Sequence, residues 1–170
     1  MAYKPAETFQ GAVDFTNIDT TAKVSVGLIC RGVDTASGQG GGEFIYLPGV
    51  SGGQVVGNLV VYNPLKPSAT LSPNTAHLAE PLAVAMSAVG TAANYGWYQI
   101  AGVATVKKTA TKVNPGVQIY LSATTGRVMA TQASGKQVVN AISVNAATVA
   151  SATSTIQVLI NRPFAQGQVV

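Results

Sequence analysis

Side chains able to act as acid, base, nucleophile or metal ligand are scarce in this 170-residue chain. There is one histidine, His77, and one cysteine, Cys30. A nucleophilic triad needs an activated Ser or Cys, a base within reach and a third group that orients the base. His77 stands in the proline-flanked loop SPNTAHLAEP with Glu80 as its near acid, and no GxSxG stretch supplies a nucleophile elbow. That setting suits a solvated or capping histidine rather than a catalytic base. Hydrolysis by paired carboxylates needs two converging acids; Glu43 and Glu80 are the conceivable pair, and nothing in their spacing brings them together. One Cys and one His exclude the usual zinc sites, and DTASGQGGGE (34–43) has too few oxygen ligands in register for an EF-hand. Gly135-Lys136 is followed by Gln137, where a phosphate-binding loop requires Ser or Thr. The expectation is a protein that is not an enzyme, with no cofactor and no metal.

Two other residue sets are placed to bind. The stretch NYGWYQIAG (94–102) sets Tyr95, the lone Trp97 and Tyr98 close together. In a strand, Tyr95, Trp97 and Gln99 share one face, while Tyr98 and Ile100 share the other, so the segment reads as a strand packed on both faces. Such a stripe belongs to a core strand, to a subunit interface or to a stacking platform for sugar. A sugar site also wants amides or carboxylates close by, and Asn94 and Gln99 are the local supply. The second set is basic. All six acids lie in residues 1–80 beside four bases, whereas residues 81–170 carry six bases and no acid, so the net charge of +4 divides into −2 and +6. Lys107, Lys108, Lys112 and Arg127 are candidates for contact with an acidic partner. They are too few and too sparse for specific nucleic-acid recognition.

Composition frames these residues. Charged residues make up 9% of the chain, against about 25% in an ordinary soluble domain. A surface so thinly charged favours an exterior partly covered by neighbours, as in an oligomer or lattice. Cys30 lies in the apolar stretch VSVGLIC and has no partner for an intrachain disulfide, so a small buried hydrophobe is expected. The stretch MAYKPAETFQGAV has no apolar core of signal-peptide length, and no run approaches the ~18 apolar residues of a membrane span.

The elements that must position these residues are strands. Short segments rich in β-branched and aromatic residues recur at 43–47, 55–63, 82–89, 95–106, 117–121, 127–131, 138–144 and 155–161, with KVSVGLIC (23–30) as one further candidate. Turn chemistry separates them: NPLKPSATLSPN, the Pro115-Gly116 pair of a type II turn, and TTGR closing a hairpin at 124–127. Helical periodicity is weak, with at most one turn in SPNTAHLAEP. SGQGGG is expected to be a flexible loop. The chain therefore reads as all-β: one β-sandwich or small β-barrel over residues 21–170, with an extended amino-terminal arm over residues 1–20. Tyr3, Lys4, Pro5 and Phe9 are the arm's candidate contact residues.

The phrases GEFIYLPG (42–49), AVAMS (83–87), YGWYQI (95–100) and RPF (162–164), in that order, resemble the capsid decoration (cement) proteins of tailed bacteriophages, over residues 43–164. The resemblance implies a β-rich virion protein on the outer face of the head. Such a protein bridges major capsid subunits and stabilises the particle against internal DNA pressure. It would be made in the bacterial cytoplasm and would associate with itself, as a trimer in preference to a dimer. No catalytic residue comes with such a family, and neither a specific nucleic acid nor a membrane is an expected partner. The alternative expectation is a carbohydrate-binding module on a virion surface, using Tyr95, Trp97 and Tyr98.

Overall fold

A computed structural model describes residues 3–5 and 14–168. The architecture is all-β, a curled antiparallel sheet forming a half-barrel, as the strand pattern predicts. Its strands are β1 (Tyr3–Pro5), β2 (Ile29–Asp34), β3 (Gly41–Pro48), β4 (Leu59–Asn63), β5 (Ser68–Leu71), β6 (Leu82–Ala85), β7 (Tyr95–Lys107), β8 (Gln118–Leu121), β9 (Val128–Met129), β10 (Gln137–Ser143) and β11 (Thr155–Ala165). The main path runs β1-β2-β3-β7-β11-β10-β8-β9, and a β5-β4-β6 ribbon joins it through β6 and β7. No helix occurs among the described residues, and the expected turn in SPNTAHLAEP is irregular, with His77 and Ala79 at positive φ.

The long strand β7 organises the molecule. Its first half pairs with β3 from Tyr95↔Pro48 to Ala101↔Glu43, and its second half pairs with β11 from Ala101↔Asn161 to Lys107↔Thr155. The change of partner falls at Gly102, whose φ is +96° and where a Cβ would stand 2.5 Å from the Gly41 carbonyl oxygen. Only glycine satisfies both conditions. Gln99 secures the bend: fully buried, it donates from Nε2 to the carbonyls of Ala101 and Val103, both at 3.1 Å.

Alternation along β7 sorts its side chains into two faces. Tyr98 and Ile100 point to a core shared with Ile45, Leu47, Val60 and Ala85, while beyond the register shift at Glu43/Phe44 Ala104 and Val106 point from the other face to a larger core shared with Leu82, Ile119, Leu121, Val138 and Val158. The β4-β6 ribbon lies between these two cores. Leu59, Val61, Leu82 and Val84 face one core, and Val60, Ala83 and Ala85 face the other. Burial on both faces explains why LAVA carries no polar residue. On the face opposite Tyr98 and Ile100, Trp97 packs with Phe15, Cys30, Phe44, Tyr46 and Met86 in a third, aromatic core. Cys30 is buried there, as expected.

Two expectations need correction. The glycine-rich stretch is not a flexible loop throughout: Gly41 and Gly42 enter β3, and the preceding turn is tied down by Asp34. The Asp34 carboxylate accepts hydrogen bonds from the Ser37 hydroxyl and from the backbone N–H groups of Ala36, Ser37 and Gln39. KVSVGLIC contributes only its last two residues to a strand, and β2 continues instead through RGVD.

Candidate interaction surface

The residues singled out by type and spacing do not converge on one site. His77 is exposed, and its Nδ1 lies 3.1 Å from the Gly167 carbonyl oxygen, with no carboxylate among its hydrogen-bond partners. Glu80 is exposed, while Glu43 is engaged elsewhere, by two arginines. No group of three or more His, Cys, Asp and Glu side chains among the described residues is arranged to hold a metal.

The aromatic stripe is core. Trp97 is 4% exposed and Tyr98 is fully buried, leaving Tyr95 half-buried at the edge. Phe15 meets Trp97 edge-on at a centroid distance of 5.2 Å, and Tyr46 lies 5.1 Å from Trp97 and 5.9 Å from Tyr95. The Trp97 ring is packed among its neighbours, and burial leaves no Trp97 or Tyr98 ring face for a sugar. Two tyrosine hydroxyls are tied inward: Tyr98 donates to Gln54 Oε1 at 2.7 Å, and Tyr46 donates to Asp19 Oδ2 at the same distance. Burial raises both phenols, Tyr46 to about 12, where the Asp19 carboxylate adds to the effect.

The basic candidates also separate. Lys112 is exposed, Lys107 and Arg127 are half-buried, and Lys108 is 1% exposed. Lys108 is not a surface contact. Its ammonium donates to the carbonyls of Thr111 (2.7 Å), Ser151 (3.1 Å) and Thr109 (3.3 Å), joining the end of β7 to the turn before β11. Burial draws this ammonium below the usual lysine range. Arg127 Nη1 lies 3.4 Å from the Lys108 carbonyl oxygen, which ties the two into one structural cluster. Sequence alone gives no sign of this, because a Lys-Lys pair reads as solvated charge.

In the expected arm, Tyr3, Lys4 and Pro5 form β1 and pair with Asp34, Val33 and Gly32 of β2. Phe9 lies outside the described residues. The segment after it belongs to the domain body: Phe15 is fully buried and stacked on Phe44 at 4.1 Å, and the backbones of Asp19 and Tyr95 exchange two hydrogen bonds.

The geometry brings together a set that spacing does not suggest. Arg31, Glu43, Ala101 and Asn161 are cross-strand neighbours on β2, β3, β7 and β11 and share one face. Arg31 Nε lies 3.4 Å from one Glu43 oxygen, while Arg162 Nη2 and Nε lie 3.0 and 3.2 Å from the other. The two guanidiniums border a groove of about 450 Å³ over Gly41, Gly42 and Gly102. In the sequence, the signs were a GGGE stretch and an arginine inside the strand-like NRPF, 119 residues apart. Comparison of the chain with family models, curated proteins and solved structures gives no match.

Proposed function

We propose that the chain is a viral structural protein, a capsid decoration (cement) protein that binds the outer face of a phage head and bridges major capsid subunits. The observation that carries this reading is the surface. An all-β body with 9% charged residues exposes apolar side chains at Val55, Val56, Leu65, Ile142, Leu159 and Phe164. Such a surface is suited to being covered. The ordered phrases GEFIYLPG, AVAMS, YGWYQI and RPF support the same assignment through their resemblance to that group of virion proteins.

The mechanism is mass action. A protein that binds the assembled shell and not its separated subunits shifts the equilibrium toward the intact particle. Self-association, as a trimer in preference to a dimer, multiplies weak contacts into avidity. The test is co-sedimentation with undecorated phage heads, read by saturation stoichiometry and by the temperature at which the particles break. Saturable binding at a small fixed ratio with a raised disruption temperature is expected. Heads that neither take up the protein nor gain heat resistance would dismiss the assignment.

A further inference from the structure

Beyond the register shift where β7 meets Glu43 and Phe44, the sheet face opposite Ala104 and Val106 is open at its far end among the described residues. On the open end, Ala101 is followed two residues on by Val103, which pairs with Leu159 of β11, which in turn pairs with Ile142 of β10. Leu159 is 45% and Ile142 is 39% exposed. Two parallel rows therefore cross the sheet, one carrying Arg31 and Glu43, the other Val103, Leu159 and Ile142. Their separation along β7 is two residues, about 7 Å, which is also the spacing of same-side residues in any extended segment.

The charged row is not self-sufficient. Among the described residues two guanidiniums face one carboxylate, a surplus of one positive charge, and Glu43 is the acid that lines the groove. The carboxylate is 20% exposed, but Arg31 and Arg162 remain 69% and 62% exposed, so most of their donor capacity faces outward. Arg162 also has φ +47°, a left-handed conformation that costs a non-glycine residue about 1–2 kcal/mol. Glycine would satisfy the backbone there without strain. The backbone conformation does not call for an arginine at this position, whereas bidentate recognition of a carboxylate does.

We infer that this face is a docking groove for an extended segment of a partner protein. The segment carries a carboxylate that the Arg31 and Arg162 guanidiniums receive, and an apolar side chain two residues away that rests on Val103, Leu159 and Ile142. Glu43 anchors the two guanidiniums before binding, one at each carboxylate oxygen. It also disfavours a multiply charged phosphate, for which one surplus charge is a poor match. The inference is independent of the capsid assignment, since it specifies the chemistry of the partner segment and not the particle.

The test uses the full chain, isotope-labelled, titrated by NMR with the capped peptide acetyl-Ser-Glu-Ser-Leu-Ser-amide and with its Glu→Gln analogue. Saturable shifts are expected at Arg31, Gly102, Leu159 and Arg162, with the Gln peptide weaker by about tenfold, the value of a charge-assisted bond. The variant R162G relieves the backbone strain and is expected to keep the fold while losing the same factor in affinity, and R31Q serves as a second variant. Equal binding of the two peptides, or undiminished binding by R162G and R31Q, would overturn the inference. So would stronger shifts of these residues by inorganic phosphate or by a single-stranded oligonucleotide.

Discussion

Tyr46 shows how one buried group makes the stability of the fold depend on pH. Its phenol donates to Asp19 and receives the Lys23 N–H, and its pKa rises from 10.0 to about 12. Between those values the native state retains a proton that the unfolded chain has lost, so stability falls as pH rises through this window and is fully present below it. Urea unfolding across this alkaline range should show that decline, with a smaller slope in Tyr46→Phe. Parallel slopes would assign the loss to other groups. At neutral pH the same variant is expected to cost about 1–2 kcal/mol, because Asp19 loses a buried donor. Gln99 makes a related point at the bend of β7. Gln99→Leu keeps the volume but removes two side-chain donations at the bend, and a loss of about 2 kcal/mol in urea titration is expected.

At the scale of elements, β7 can serve two sheet segments only because it bends at Gly102. In Gly102→Ala the new Cβ meets the Gly41 carbonyl oxygen while φ stays at +96°, so β3 and β7 must separate there. A loss of about 2 kcal/mol or more in unfolding free energy is expected, with accelerated amide exchange in Gly41–Glu43. An unchanged urea midpoint would show that the bend tolerates a side chain. The β2-β3 turn depends on charge in the opposite sense from Tyr46. The Ser37 hydroxyl and three backbone N–H groups hold the Asp34 carboxyl well below the usual carboxylate range. Its contribution is present above the unfolded value of 3.8 and is lost as pH falls toward the depressed native value. Acid unfolding of Asp34→Ala should therefore be less steep than that of the parent chain.

For the whole molecule, Phe15 and Asp19 are built into the body. Removing residues 1–13 is expected to leave the melting temperature of the body nearly unchanged. Removing residues 1–20 takes away Phe15 and Asp19, at a cost of about 3–5 kcal/mol for the buried ring alone and about 10 °C in Tm. Equal melting of the two truncations would show that Phe15 contributes little. Only the shorter truncation can therefore ask whether the arm binds a particle. The lone tryptophan reports on the same packing. Trp97 should emit as a buried indole, resist acrylamide and ignore added glycans; strong quenching in the native state would mean that the aromatic core opens.

The sequence by itself determined the class of the fold and most of its strands, because alternation and turn residues are local and act within a few positions. It also determined that the segment around Trp97 is packed on both faces, since apolar side chains of both parities leave no solvent face. The short strands β1 and β5 escaped notice because YKP and SATL carry little apolar signal, and pairing alone makes them strands. Only the tertiary structure decided that Lys108 is buried, since the carbonyls that hold its ammonium come in part from a turn 43 residues away. Likewise, only the fold decided that Arg31, Glu43 and Arg162 form one cluster. Cross-strand adjacency is set by register, and register is a property of the assembled sheet, not of any segment within it.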